Sequence, residues 1–464
     1  MRHDAHGYWL AEAGAVSPTA PAAGEIRADV VIVGGGYAGM WTAWQLLERA
    51  PDTRIVLLEA DVCGHGPSGR NGGFCETLWT SLPSLRERFG DEVALAACEA
   101  SSESVRAIGA WCEAEGVDAW FRPSGFVMAS TSEAQDPEID DVLDAATATG
   151  VAGTKVLPLD RAAVRARCDS PMFRAGLFVP DDATVQPARL ALGLRRRLIE
   201  RGVAVHERSR VRALRAAGPD AVVAETAAAR VRARAAVLVI NAATRGFRPL
   251  RSRLSVTSSH IVLTEPVPDV LEAIGWTGGE SITDGRTFVH YFRTTNDGRI
   301  AFGWGGGQIA YGARLHGRTE VDPAVAGTVH RHLVEHFPGV EGRAITHAWG
   351  GPIDVSPSHL PQIGTLADGP IHFAFGFTGN GVGPSHLAGR ALAGLALGAP
   401  DPDVPSLDHT PARVPPEPLA WVGGAIVRGA LLRSERLAGE GRTADPLTRA
   451  VCAAPKAIGI HVSR

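Results

Sequence analysis

Lysine is almost missing from this chain: of 46 lysines and arginines, only Lys155 and Lys456 are lysines. The preference for arginine runs through the whole sequence and marks no particular segment, so it carries no functional reading. Cysteine is scarce as well. The six cysteines (Cys63, Cys75, Cys98, Cys112, Cys168 and Cys452) form no Cys-x-x-Cys pair, and none stands with histidines at zinc-finger spacing. Buried, reduced thiols are the expectation, and no metal site is expected. No basic block exists and the formal net charge is −4, which argues against a nucleic-acid partner because phosphate binding needs clustered cations to displace counterions. No apolar run of about 18 residues suggests a membrane span. The start of the chain, with Arg2, His3, Asp4 and His6, lacks the apolar core of a secretory signal. A cytoplasmic location is the resulting expectation.

What the chain does have is length and glycine. Its 464 residues, 45% hydrophobic, exceed what one core usually supports, so two domains are expected. The apolar run Val30-Val31-Ile32-Val33 leads into Gly34-Gly35-Gly36-Tyr37-Ala38-Gly39 and then an amphipathic stretch, Met40 to Leu47. These glycines sit where a strand turns tightly into a helix. Missing Cβ atoms at Gly34 and Gly36 let backbone approach a pyrophosphate, and Gly39 lets the helix pack on the strand. The helix N-terminus adds free N–H groups and positive dipole charge. A second strand, Arg54 to Leu58, ends in Glu59, about 20 residues beyond Gly39, where a carboxylate reaches the ribose hydroxyls of a bound nucleotide.

Past Glu59, the loop Cys63 to Phe74 has too many glycines for a regular element. A helical pattern from Ser81 to Gly116 leaves this domain, and Gly125 to Ala129 is strand-like. The segments Gln186 to Arg201, Val203 to Glu207, the strand pair Val211–Leu214 and Ala221–Ala224, and Ala235 to Ile240 read as nucleotide-domain elements returning. The last of these runs into Asn241, a second place for chain to meet a cofactor. From Arg253 to Gly305 the alternation is β-like, the sheet of a substrate domain. Ile371 to Phe375 is another strand, and Gly376-Phe377-Thr378-Gly379-Asn380-Gly381-Val382-Gly383 is a second glycine-rich entrance to a helix. The fold class is therefore α/β: a Rossmann-like nucleotide-binding domain assembled from discontinuous segments (26–90, 170–245 and 345–400) and a mixed-sheet, α+β substrate domain (91–169 and 246–344). Residues 401–464 form a tail, proline-rich to Pro418 and amphipathic from Leu419 to Ala438, with no catalytic role assigned.

This constellation resembles the D-amino-acid-oxidase-type family of FAD-dependent oxidoreductases, which includes glycine, sarcosine and γ-glutamylputrescine oxidases. The likeness rests on Gly34 to Gly39, Glu59, the Ser68-Gly69-Arg70-Asn71-Gly72-Gly73 loop and the Gly376 to Gly381 turn, and it covers most of the chain. Within the family, Trp41-Thr42-Ala43, Leu58 to Gly64, His290-Tyr291-Phe292-Arg293 and Asp297-Gly298-Arg299-Ile300 are similar to proteins named aminophosphonate oxidoreductases. The resemblance implies elongated, non-covalent FAD with adenine near Glu59 and Ala60. Gly34, Gly36, Tyr37, Ala38 and Gly39 would lie at the pyrophosphate, and Ser68 to Gly73 along the pyrophosphate or flavin side. Val211 and Asn241 would add contacts, and Gly376, Thr378, Gly379, Asn380, Gly381 and Val382 would lie by flavin N1 and the C2 carbonyl. It also implies oxidation of an amine to an imine by hydride loss to flavin N5, then hydrolysis to a carbonyl compound. The lysine that helps flavin react with oxygen in sarcosine-oxidase-type relatives is missing from the middle of this chain, which leaves oxygen and another electron acceptor both open.

Strand alternation over Thr287 to Arg293 puts His290 and Phe292 on one face and Tyr291 and Arg293 on the other. An anionic substrate tail, carboxylate or phosphonate, would call for an arginine fork, with Arg286 and Arg293 the candidates; a surface strand with salt-bridged arginines is the alternative. Tyr291 either bonds substrate or packs. Trp349 is expected in the wall near the flavin, and His260 and Asp354 are expected to be structural. An amino-acid oxidase or dehydrogenase using the same pocket, and a flavin-binding scaffold without redox chemistry, are the rival expectations.

Overall fold

The computed structural model describes residues 1–407 and 412–461. Its nucleotide-binding part is a six-stranded sheet in the order Ala204–His206, Ile55–Leu58, Val30–Val33, Ala235–Leu238, Ile371–Phe375, Gln362–Thr365. The first five strands run parallel, and only the edge strand Gln362–Thr365 is antiparallel. All four residues of Val30–Val33 and of Ile55–Leu58 are buried. Unbroken apolar runs of that kind belong to parallel strands covered on both faces. One cover is the helix Tyr37–Arg49, which packs with Pro187–Glu200 and Val382–Leu397 around Met40, Trp41, Leu46 and Leu392. The other is a four-stranded sheet of Ala213–Gly218, Ala221–Glu225, Ala229–Ala233 and Gly24–Arg27. The strand pair expected near 211–224 lies in this covering layer rather than in the main sheet.

A nine-stranded mixed sheet forms the second part, in the order Arg2–His3, Ile345–Val355, Ser255–Thr264, Ile300–Trp304, His290–Thr294, Ser281–Asp284, Phe126–Ser130, Ala175–Val179, Leu157–Leu159. The domain limits drawn from sequence shift accordingly. Ala175–Val179 and Ile345–Val355, placed there with the nucleotide domain, pair in this sheet; the latter pairs with Ser255–Thr264 from Val355 to Ile345. The first residues also join it, Arg2 pairing with His347. The long helix Leu82–Ala114 covers the expected 81–116 stretch but breaks at Gly90, whose φ of 78° and ψ of 170° are not helical.

Beyond the helix Val382–Leu397, the tail holds two helices, Leu419–Gly439 and Pro446–Ala457, packed on each other, and the first bonds to Gly306, Gly307 and Phe288. Among the described residues, no helix is long and apolar enough to cross a membrane. All six cysteines are free thiols and five are buried. Burial pushes the Cys112 thiol up to about 12.

Candidate active site

The loop after Val30–Val33 forms because its glycines leave room that side chains would fill. At Gly34, φ is +116° and a Cβ would lie 2.3 Å from the Val239 carbonyl oxygen; at Gly39, a Cβ would lie 2.0 Å from the Gly34 carbonyl oxygen. Any larger residue at Gly39 would push the helix off the strand. The Gly35 amide donates to Glu59 Oε2 at 2.7 Å and the Asp61 amide to Glu59 Oε1 at 2.9 Å. Burial raises the pKa of the Glu59 carboxyl and these amides pull it back. Ser68 Oγ accepts from the Tyr37 amide at 2.8 Å, capping one of the four N–H groups that a helix start leaves open. Among the described residues, the Ala38 and Gly39 amides find no backbone acceptor.

Strands, loops and turn enclose one continuous cavity of about 1170 Å³, somewhat beyond the ~300–1,000 Å³ of typical ligand pockets. Its wall includes Gly34, Gly36, Tyr37, Ala38, Glu59, Ala60, Ser68, Arg70, Asn71, Gly72, Val211, Asn241, Tyr291, Trp349 and the run Thr378 to Val382. Gly39, Gly69, Gly73 and Gly376 stand behind that wall. A Cβ on Gly69 would reach 2.3 Å from the Gly64 carbonyl oxygen and one on Gly376 2.7 Å from Ser356 Cβ. The two glycine-rich corners, about 340 residues apart in sequence, thus open into the same space.

The second corner is tied down by Asp354. Its Oδ2 accepts from the Gly376 amide at 2.6 Å, its Oδ1 from Asn241 Nδ2 at 2.9 Å, and its backbone oxygen from the Thr378 amide at 3.1 Å. Asp354 therefore links the end of Ala235–Leu238 to the turn. Burial pushes its carboxyl up to about 7, against the pull of those amides. The helix Val382–Leu397 begins after Gly381 without a side-chain cap. Neither Thr378 nor Asn380 caps it: Thr378 Oγ1 donates to the Gly376 carbonyl at 3.1 Å. Asn380 Oδ1 and Asn241 Oδ1 are buried with no partner. Two orphaned acceptors and an uncapped helix start facing a long cavity fit a ligand with hydrogen-bond donors and electron-rich edges, as a flavin ring has.

The loop residues serve partly in ways the sequence did not show. Asn71 is folded onto its own loop: Nδ2 donates to the Pro67 and Ser68 carbonyls, and Oδ1 accepts from the Gly73 amide at 2.7 Å. Arg70 lines the cavity but its guanidinium is engaged, donating to the Ala5 carbonyl at 2.7 Å and pairing with Glu320 at 3.3 Å. Its carbonyl accepts from Trp349 Nε1 at 2.8 Å. Trp349, 1% exposed, presses against Gly7 of the short helix Gly7–Ala13, where a Cβ would lie 2.7 Å from its ring.

Tyr291 faces the cavity with its ring edge-on to Phe74 at 5.8 Å and its hydroxyl 2.6 Å from Ser259 Oγ. Ser259 donates onward to the Trp304 carbonyl at 2.9 Å, so the Tyr291 hydroxyl is the donor to Ser259. Burial pushes the phenol up to about 12 and keeps it protonated. The expected arginine fork does not form. Arg293 lies beneath the loop, donating to the Gly73 and Val185 carbonyls at 3.0 and 2.5 Å, with its guanidinium 5.6 Å from the Trp9 ring centre. Arg286 pairs with Asp284 at 3.1 Å. On the opposite strand face, His290 is held by Asp284 at 2.6 Å and His332 at 2.8 Å. Burial lowers His332 and His336 to about 3, leaving both neutral.

Two contributors to the wall escaped the sequence reading. Asp354, expected to be structural, also lines the cavity; a polar residue at a strand end beside a glycine turn is a recognisable signal. The tail supplies Val414, Leu419, Gly424, Val427, Arg428 and Leu431. The signal available for it was the spacing of Ala420, Gly424, Val427 and Leu431 along one helical face.

Comparison with known proteins agrees with this geometry. Residues 29–395 match the DAO family model, described as FAD dependent oxidoreductase. The probable oxidoreductase OrdL of Rhizobium meliloti (strain 1021) is 28% identical over 390 residues, covering 81% of this chain and 84% of that protein. The γ-glutamylputrescine oxidoreductase of Escherichia coli (strain K12) is 28% identical over 403 residues, covering 86% of this chain and 90% of that protein. In fold, the glycine oxidase from Geobacillus kaustophilus superposes with a TM-score of 0.66 at 19% identity, covering 83% of this chain and all of that one. The family match spans both glycine corners and the sheet between them, and on that ground the chain belongs to the DAO family of FAD-dependent oxidoreductases.

Proposed function

We propose that the protein oxidises a small primary or secondary amine at the carbon beside nitrogen, with an aminophosphonate the leading candidate. One observation carries the reading: a single cavity is lined by Glu59 and the turn that begins at Gly34, by the uncapped helix start at Val382, and by Tyr291 and Trp349. The similarity to γ-glutamylputrescine oxidoreductase supports an amine as the class of substrate. Bound FAD supplies the two-electron acceptor that takes a hydride from the CH–N carbon. The amine reaches that step as the free base, its ammonium proton passing to solvent. The resulting C=N product adds water and releases an aldehyde or ketone together with ammonia or the smaller amine.

In this reading Glu59 would accept from the ribose hydroxyls, the Ala38 amide would face the pyrophosphate, and Asn241 and Asn380 would offer acceptor oxygens to the ring system. The N-terminus of Val382–Leu397 would favour negative charge on a group bound beside it. Tyr291 and Trp349 are walls that hold the reacting carbon in place, since both their polar hydrogens are already donated within the protein. An amino-acid oxidase or dehydrogenase reaction uses the same geometry with a carboxylate beside the nitrogen.

Anaerobic mixing of the FAD-loaded protein with 2-aminoethylphosphonate, glycine, sarcosine, γ-glutamylputrescine and simple alkylamines tests the proposal. Bleaching of the flavin absorbance by an amine is expected, strongest with the phosphonate. No bleaching by any amine, while dithionite still bleaches it, would mark a flavin-binding scaffold instead. Reoxidation of the reduced protein with air or with an artificial acceptor then separates oxidase from dehydrogenase.

A further inference from the structure

With Arg286 and Arg293 committed elsewhere, the cavity wall also carries an arginine from the tail beyond the family match. Arg428 lies on the helix Leu419–Gly439 and lines the cavity with Val427 and Leu431. Its Nε donates to the Gly307 carbonyl at 2.6 Å and its Nη2 to the Gly306 carbonyl. These carbonyls follow the strand Ile300–Trp304, whose Gly303 underlies the Tyr291 ring. Among the described residues, no carboxylate lies within ion-pair distance of Arg428. Asp322, the acid whose charge it senses, is paired with Arg318 at 2.9 Å and accepts from the Ala324 amide at 3.1 Å. Burial lowers the pKa of Arg428, as expected of a half-buried cation without a counter-ion.

The helix that carries Arg428 is fastened on several sides. Glu417 pairs with Arg245 at 3.0 Å and accepts from the Gly312 amide at 2.9 Å. Glu435 accepts from the Phe288 amide at 3.1 Å, and the His461 amide reaches the Pro357 carbonyl at 2.8 Å. One guanidinium edge, Nε and Nη2, is fixed on backbone oxygens, and the remaining N–H groups, chiefly those of Nη1, are left for a ligand. A guanidinium held this way presents charge and direction together.

We infer that Arg428, delivered by the C-terminal helix, is a specificity-determining residue that binds the anionic end, carboxylate or phosphonate, of the amine substrate. This rests on the amine-oxidising reading of the same cavity.

The test compares full-length wild type, Arg428→Gln and Arg428→Lys, each loaded with FAD. Matched amines are used: 2-aminoethylphosphonate and β-alanine against ethylamine and n-butylamine. In Arg428→Gln, KM for the two anionic amines should rise about 10- to 100-fold, the range for losing a hydrogen bond to a charged group, with kcat little changed. KM for the neutral amines should stay the same or fall, and Arg428→Lys should recover part of the loss. The phosphonate and carboxylate arms show which anion the site prefers. A change of equal size for anionic and neutral amines would overturn the inference and leave Arg428 as a latch for the helix.

A second measurement needs neither turnover nor a folded variant. Methylphosphonate or acetate should perturb the flavin spectrum of the wild type and weaken with added salt. No perturbation by either anion would overturn the inference even where neutral amines reduce the flavin. If the anions bind but no amine of either set reduces the flavin, the inference stands and the proposed reaction is what fails.

Discussion

Single residues in this chain are chosen by what surrounds them. Asp354 shows it best, because one buried carboxyl holds both Asn241 and Gly376. Its folded pKa, about 7, lies above the ~3.9 of an unfolded aspartate. A group raised in this direction favours the folded state below the unfolded value, and that contribution is lost as pH rises through about 7. Asp354→Asn lacks the titration but leaves one donor without its acceptor, so it should be the less stable protein at pH 5, with the gap narrowing by pH 8. Melting temperatures of both proteins across that range check this; parallel curves would contradict it. At Gly39 the constraint is steric. Gly39→Val places atoms where even a Cβ comes within 2.0 Å of the Gly34 carbonyl, so FAD content after reconstitution should fall by about tenfold or more, which absorbance against protein concentration measures. Tyr291→Phe removes only the hydroxyl's bond to Ser259, which keeps its own acceptor at Trp304. The expected loss is about 0.5–1.5 kcal/mol in urea unfolding, with flavin reduction retained.

Whole elements decide where those residues meet. The first turn, its helix and Glu59 were legible because they are local: glycine sterics, strand burial and the spacing of one βαβ unit all act within about 30 residues. The second turn was legible for the same reason. The tail was not, since the bond of Arg428 to Gly306 and Gly307 joins positions more than 100 residues apart and periodicity reports a buried face without naming what buries it. The arginine fork failed for a related reason. Alternation correctly put Tyr291 and Arg293 on one face, but Arg293 sits two residues further along and meets the loop at Gly73 and Val185 instead of the cavity. The helix Leu419–Gly439 also sets the width of the cavity, with a Cβ on Gly424 predicted to lie 3.0 Å from Ile309 Cδ1. Gly424→Leu should therefore raise KM for amines about tenfold, from overpacking of roughly 1–3 kcal/mol, while FAD content is unchanged. Loss of FAD in that variant would show that the helix supports the cofactor rather than the substrate.

The two large sheets, six- and nine-stranded, are held together by loops that also form the site. Glu207, fully buried, accepts from Arg195 at 2.7 and 2.8 Å, from the Cys63 amide at 2.8 Å and from the Thr19 amide at 2.7 Å. Burial would raise its carboxyl, and Arg195 with the two amides lowers it overall. Arg195→Ala leaves that charge buried without its cation, and a loss of about 3–5 kcal/mol is expected, read as a lower urea midpoint and weaker FAD retention. The division of the chain into two sheets was readable from its apolar runs, whereas the crossing points were not: Ile345–Val355 leaves the nucleotide side because its partner is Ser255–Thr264, a pairing that no local pattern specifies. Glu59, Tyr291 and Trp349 all line one cavity, and the proposed reaction is the breaking there of a C–H bond beside nitrogen. Stopped-flow reduction of the FAD-loaded protein with an amine deuterated at that carbon measures this step directly. Reduction should slow several-fold with deuterium there and be unaffected by deuterium further along the substrate; reduction indifferent to deuterium at both positions would rule out that step.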